Sequence, residues 1–233
     1  MKTSVCIATY NGEKYISQQL KSILLQLSYT DEVVISDNNS TDLTQQIIKS
    51  FSDDRVKLYS YPNQTVVSNF ENALKLANGD IIIISDQDDV WLDGKVDLIK
   101  RELNDHDLVL TDCKVVDDNL QLLHNSLFKL RYPKSGVFNN LVRNTYTGCC
   151  MAFNRKVLNS ALPFPTDIPM HDWWIGLVAE MIGTVKFVDQ PFILYRRHSL
   201  NASTLTNPSK YGYVKQFSMR WVLLKNLLKR FVF

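Results

Sequence analysis

Four consecutive isoleucines, Ile81-Ile82-Ile83-Ile84, run directly into Ser85-Asp86-Gln87-Asp88-Asp89. A short apolar run bounded by polar residues reads as a buried strand that stops in a cluster of carboxylates. Three carboxylates so close together repel one another unless a cation sits between them. Hard divalent ions take oxygen ligands, and Mg²⁺ commonly uses one or two carboxylates plus substrate phosphates. The strand end is therefore a candidate seat for a metal and a diphosphate, with a solvated acidic turn as the plain alternative.

The rest of the first half places that strand in a sheet. Strand-like segments at Ser4–Thr9, Glu32–Ser36, Val56–Tyr61, Asp80–Ser85 and Leu108–Thr111 alternate with helical stripes. The stripes are Ile16, Leu20, Ile23, Leu24 and Leu27; then Ile47, Ile48 and Phe51, with Ser40 as N-cap; then Phe70, Ala73, Leu74 and Ala77, closed by Asn78-Gly79; then Val96, Ile99 and Leu103. A β-α-β-α succession predicts an α/β fold with a mostly parallel central sheet and helices on both faces. In such sheets ligands bind outside the carboxyl ends of the strands. Thr9-Tyr10-Asn11, Asp37-Asn38-Asn39 and Asp86–Asp89 all fall there, on three separate strands.

The second half is less regular. Residues 113–145 read as connections and a short helix at Phe138–Val142, and Thr147–Phe153 as another core strand. A helix is expected from His171-Asp172-Trp173-Trp174 to about Ile182, followed by short strands at Val185–Val188 and Phe192–Tyr195. From Tyr213 to Phe233, Val214, Phe217, Trp221, Leu224, Leu228 and Phe231 recur every three or four residues opposite Lys215, Lys225, Lys229 and Arg230, a basic amphipathic helix. The net charge of +2 conceals a division: after Asp189 there are eight Lys or Arg and no Asp or Glu. An acidic body with a basic tail points the tail toward an anionic surface.

Composition narrows the class further. A chain of 233 residues, 45% hydrophobic, suffices for one sizeable core. No apolar run approaches a membrane span, and the N-terminus enters a strand without an apolar leader, so no secretory signal is expected. Cys6, Cys113, Cys149 and Cys150 lack zinc spacing and read as small buried hydrophobes of a reducing compartment, the cytoplasm. Neither G-x-G-x-x-G nor G-x-x-x-x-G-K-S/T occurs, so a nucleotide would be held by strand-end side chains and a metal instead of a glycine cradle.

Six segments in order complete a pattern. They are Ser4–Gly12 (SVCIATYNG), Ile35–Asp42 (ISDNNSTD), Ser85–Trp91 (SDQDDVW), Thr147–Asn154 (TGCCMAFN), His171–Trp174 (HDWW) and Tyr195–Asn201 (YRRHSLN). Together they resemble family 2 glycosyltransferases of the GT-A fold, nearest to bacterial rhamnosyltransferase-like enzymes that build surface polysaccharides. The resemblance implies an inverting, metal-dependent transfer from a UDP- or dTDP-sugar to a glycan or lipid-linked glycan. It divides the chain into a GT-A domain at 1–205, with a nucleotide-binding half at 1–112 and an acceptor-binding half at 113–205, and a basic tail at 206–233.

The same resemblance implies roles for individual residues. Thr9, Tyr10, Asn11, Asp37, Asn38, Asn69 and Asp86 would bind the nucleotide, with Asn38 standing where the family usually has Asp. Asp88 and His198 would hold Mg²⁺ or Mn²⁺; Asp89, Gly148, Arg197 and His198 would face the donor sugar or diphosphate. Asp172 would be the catalytic base, beside Trp173 and Trp174 on the acceptor side. The tail would lie on the inner face of the cell membrane, as a peripheral contact, or else pack on the domain or form a homodimer seam. Rival readings are a sugar nucleotidyltransferase, which needs a Gly-rich basic loop that Thr9–Gly12 lacks, and a non-catalytic nucleotide-sugar-binding protein. Nucleic acid is not an expected partner, because the acidic body opposes a phosphate backbone.

Overall fold

The computed structural model describes residues 1–62, 64–198, 201 and 212–232. In chain order the elements are β1 (Thr3–Thr9), α1 (Ile16–Leu24), β2 (Glu32–Asp37), α2 (Thr44–Ser50), β3 (Val56–Ser60), α3 (Val66–Leu76), β4 (Ile81–Ser85), β5 (Val90–Trp91) and α4 (Lys95–Glu102). They continue with β6 (Leu108–Val116), β7 (Leu122–His124), α5 (Phe128–Arg131), α6 (Val137–Val142), a 3-10 turn at Gly148–Cys150, β8 (Met151–Asn154), α7 (Arg155–Ala161), α8 (His171–Ile182), β9 (Val185–Arg196) and α9 (Tyr213–Phe231).

One sheet runs through the molecule in the order β3-β2-β1-β4-β8-β6-β9-β5, with β7 on β6. It is parallel from β3 to β4. Beyond that, β8 lies antiparallel between β4 and β6, while β6 and β9 pair in parallel. The four isoleucines explain why the centre holds. Ile82 and Ile84 enter one core with α3, α7, α8 and α9, whereas Ile81 and Ile83 enter the other with α1 and α4. A strand apolar on both faces can only be stable between two layers of helices. Because β6 crosses residues 112 and 113, the two expected halves share this sheet.

Several local expectations are corrected. Ser40 does not cap α2, which starts at Thr44. Its hydroxyl instead donates to Asp37 and accepts from the Asn11 N–H. Gly79 is no left-handed cap: its missing Cβ makes room for β1, since a Cβ there would lie 2.6 Å from the Ser4 nitrogen. The expected strand at Thr147–Phe153 is half 3-10 turn, so only Met151–Asn154 pairs. The two short strands after Val185 are one twelve-residue strand, irregular opposite Asp112 where Pro191 enters. On the tail helix Leu223 and Leu227 bury against the domain, while Val214, Phe217, Trp221 and Leu228 of the expected apolar stripe are exposed. The 205/206 boundary, Lys210, and Ser199-Leu200 of the last motif lie outside the described residues.

Candidate active site

The strand ends converge through hydrogen bonds between loops distant in sequence. Thr9 and Asp37 are register partners on β1 and β2, and the Thr9 hydroxyl donates to Asp37 at 2.7 Å. Asp37 also accepts from the Ser40 N–H at 2.8 Å and the Gln45 amide at 2.7 Å, which locks a buried carboxylate in place. Asn38 engages Gln64 through both ends of its amide at 2.9 Å, tying this strand end to the approach to α3. Tyr10 is exposed, and Asn11 caps the Thr41 N–H. Asn69 donates to the Thr9 carbonyl at 3.3 Å, and its buried Oδ1 has no partner.

Gln87, passed over in the sequence reading, bridges two of these loops. Its amide accepts from the Tyr10 N–H at 3.0 Å and donates to the Tyr10 carbonyl at 3.1 Å. Gly12 must lack a Cβ for this bridge, because one would fall 2.5 Å from Gln87 Oε1.

Behind the loop lies the acidic cluster. Burial pushes the Asp86 carboxyl up to about 7, and the neighbouring charges of Asp88 and Asp172 add to the shift, with Lys95 opposing. Asp172 therefore shares an electrostatic environment with the strand end, although 86 residues separate them. Gly148 occupies the space between: a Cβ on it would lie 3.6 Å from Asp172 Cβ and 3.8 Å from Ile84 Cγ2. Asp172 stands in the first turn of α8, where the helix dipole favours a carboxylate, and its Oδ1 accepts from the Trp173 N–H at 2.7 Å. Its Oδ2 has no hydrogen bond among the described residues.

The Tyr195-Arg196-Arg197-His198 segment closes the site from β9. His198 Nε2 meets Asp88 Oδ2 at 2.8 Å, and the Asn201 amide donates to the same oxygen at 3.2 Å. The imidazole stacks on Tyr15, 4.8 Å between centroids. Arg196 is a latch instead of a phosphate ligand: buried, it donates to the Asp88 carbonyl, the Asp118 carbonyl and Gln18. Its own N–H donates to Asp89 Oδ1 at 3.0 Å, so Asp89 is a buried brace for β9. Arg197 is half-exposed, with its guanidinium over the Tyr195 ring.

Two acceptor-side expectations are corrected by burial. Trp174 lies wholly in the core, donating to the Ala161 carbonyl at 2.9 Å, with Arg230 over its ring. Trp173 is also buried and donates to the Asn140 carbonyl at 2.7 Å. Their ring N–H groups are spent inside the fold, so these residues hold α8 rather than line an acceptor groove. His171, given no role from sequence, is buried with both ring nitrogens unpartnered, stacked on Phe70. Lys95 is likewise new: fully buried, it donates to the Cys149 carbonyl at 3.1 Å and lies 4.0 Å from the Trp91 ring centre. Burial lowers its ammonium to about 8, with nearby thiols and Asp89 opposing. No spacing rule singles out a lysine four residues after Trp91.

Two donor sets offer themselves to a cation. Asp86, Asp89 and Cys149 bring ligand atoms within 4.8 Å of one another. A thiol is a poor ligand for Mg²⁺ or Mn²⁺, and the buried Cys149 thiol is held well above its ordinary range, so it stays protonated. Asp88 with His198 fits better, because carboxylate and imidazole suit these ions and the Asp88 side chain, 14% exposed, is not sealed off from substrate phosphates.

Sheet order, strand-end cluster and facing carboxylate define a nucleotide-sugar-type α/β transferase fold. The comparisons sharpen that class. Residues 4–162 match the model of "Glycosyl transferase family 2". The chain is 24% identical over 229 residues to the Escherichia coli UDP-Glc:alpha-D-GlcNAc-diphosphoundecaprenol beta-1,3-glucosyltransferase WfgD, covering 97% of this chain and 86% of the relative. It is 28% identical to the dTDP-rhamnosyl transferase RfbG of Shigella flexneri, covering 92% of this chain and 80% of RfbG. In structure it resembles Staphylococcus aureus TarS 1-349 in complex with UDP-GlcNAc, with a TM-score of 0.75 at 22% identity over 100% of this chain and 68% of that one. The mannosyltransferase PcManGT of Pyrobaculum calidifontis, in complex with GDP-Man and Mn²⁺, gives 0.62 at 20% identity over 98% and 64% of the two chains. The chain belongs to glycosyltransferase family 2, with the GT-A fold, and is a glycosyltransferase.

Proposed function

We propose that this glycosyltransferase moves a sugar, with inversion, from a UDP- or dTDP-sugar to a lipid-linked glycan during assembly of a bacterial surface polysaccharide. The observation that carries the reading is that the charge of Asp172 reaches the Asp86 strand end, with Gly148 packed between Asp172 and Ile84 of β4. The names of WfgD and RfbG supply the donor and acceptor classes.

Asp172 receives the proton of the acceptor hydroxyl as that oxygen bonds to the anomeric carbon and the nucleoside diphosphate leaves. One carboxylate suffices, because a diphosphate departs without a general acid. The Trp173 N–H pins Oδ1, which leaves Oδ2 for the proton. Gly148, lacking a side chain, lets its backbone pack close beside Asp172 and His171. Thr9, Asp37 and Asn69 present the base and ribose side, with the unpartnered Asn69 Oδ1 ready to accept from the nucleoside. Asp88 and His198 would hold Mg²⁺ or Mn²⁺, which when bound neutralises diphosphate charge. Work at the inner face of the cell membrane follows from a lipid-linked acceptor; among the described residues no helix is long and apolar enough to cross a membrane.

Asp172→Asn tests the assignment. Transfer should fall on the order of 10² to 10⁴-fold while donor affinity is kept. Near-normal turnover would remove Asp172 from the chemistry, and release of pyrophosphate in place of nucleoside diphosphate would favour a nucleotidyltransferase.

A further inference from the structure

Among the described residues, α6 and the first half of α9 leave one apolar face uncovered. Phe138 is 78% exposed on α6, and Tyr213, Phe217 and Trp221 are 92%, 70% and 57% exposed on α9. Val142 and Val214 are exposed with them. The two helices are tied together there, because the Arg220 guanidinium donates twice to the Val142 carbonyl, at 3.1 and 2.7 Å. Each helix has another face for the core. Val137 and Leu141 of α6, with Met219, Leu223 and Leu227 of α9, pack against the domain. The outward residues are therefore not needed to hold the helices down.

Charge indicates what covers this face. Residues 119–166 contain no Asp or Glu, and none follows Asp189. The exposed apolar residues are flanked by Lys134, Arg143, Lys215, Lys225 and Lys229, all exposed. The carboxylate that reaches α9, Asp167, pairs with Asn226 on another side. Glu180, the carboxylate that reaches the start of α6, is spent on the Gly136 N–H and the Tyr146 hydroxyl. Exposed aromatics flanked by cations, as they are among the described residues, are the signature of an interfacial helix on anionic lipid.

We infer that α6 and α9 together form a seat for an anionic membrane surface, with Phe138, Phe217 and Trp221 entering the headgroup region. The seat reaches the reaction centre through one side chain. Trp173 Nε1 donates to the Asn140 carbonyl of α6, and Trp173 follows Asp172 directly on α8. A lipid-linked acceptor rising from that surface thus arrives beside the carboxylate, a consequence that rests on the function proposed above. The seat itself does not.

The protein carries its own reporter. Of four tryptophans, Trp91, Trp173 and Trp174 are buried, so a change in emission on adding lipid reports Trp221. Vesicles containing phosphatidylglycerol should shift the full chain's emission to the blue, and brominated acyl chains should quench it. Trp221→Phe should abolish both signals without preventing sedimentation with the vesicles. Phe138→Ser, and separately Lys225→Glu with Lys229→Glu, should weaken partitioning on the order of tenfold. An unchanged Phe138→Ser would overturn the two-helix seat in favour of the tail alone. Absence of quenching, or self-association in lipid-free solution that Phe217→Ser disrupts, would overturn the membrane and make the face a protein seam. UDP binding by calorimetry is read on the same samples: its loss in the wild-type chain would count against the proposed transferase reaction, and leave the seat standing.

Discussion

Asp88 and Asp86 differ in what surrounds them, and that difference predicts different mutants. Asp88 offers Oδ2 to His198 and Asn201, whereas Asp86 is held up by burial and feels the charges of Asp88, Asp172 and Lys95. Asp88→Ala should abolish the increment that Mg²⁺ or Mn²⁺ adds to donor affinity, measured by calorimetry; an unchanged increment would remove Asp88 from the cation site. Gly148→Ala tests the opposite wall. The added methyl would stand 3.2 Å from His171 Nε2 and 3.6 Å from Asp172 Cβ, so neighbours must move. Turnover should fall well before thermal stability does, and equal loss of both would make Gly148 a packing residue.

At the scale of elements, the strand ends depend on anchors at the other edge of the sheet. Glu32 opens β2 and gathers the Ser4 hydroxyl at 2.6 Å, the Asn78 N–H at 2.7 Å, Lys57 at 2.6 Å and Lys2 at 3.1 Å. Burial works against its charge, but these donors outweigh it and bring the carboxyl down to about 2 from 4.5. A depressed carboxyl stabilises the fold above its unfolded value, and that contribution disappears as pH falls from about 4.5 toward 2. Glu32→Gln should therefore lower stability near neutral pH and flatten the acid limb of a urea-unfolding series between those values. A parallel limb in the variant would assign acid sensitivity to other carboxylates. The same element-level logic explains Arg196: given no role of its own from sequence beside Arg197 and His198, it is, once β9 is laid beside β6, the bolt between β9 and the Asp88 loop.

At the scale of the molecule, α9 is a strap across the core that α7 and α8 form with the sheet. Leu223 and Leu227 are buried, and Arg230 donates to the Ser160 and Ala161 carbonyls while lying over Trp174. Leu227→Ala should cost about 2–5 kcal/mol of unfolding free energy, as for other buried leucines. Leu228→Ala, one residue along and partly exposed, should cost well under that. Equal costs in a denaturant titration would show that the helix has a different inward face.

Much of this architecture was legible before any coordinates. Apolar periodicity and polar strand ends are local properties, so β1, β2, β4, the placement of Thr9, Asp37 and Asp86 at strand ends and the start of α8 could be read directly from neighbours in the chain. Periodicity does not state which side of an amphipathic helix meets the core when both sides are partly apolar, so the burial of Leu223 and Leu227 was not legible in the α9 stripe. Nor does a motif disclose burial: Trp173, Trp174 and Arg196 stand within recognisable segments, yet packing spends their polar atoms inside the fold. The partnership of Asp172 with Asp86, the Gln87 bridge and the buried Lys95 depend on chain segments far apart in sequence meeting at one sheet edge. Such contacts are set by the closing of the sheet, β8 between β4 and β6, and only the folded molecule decides them.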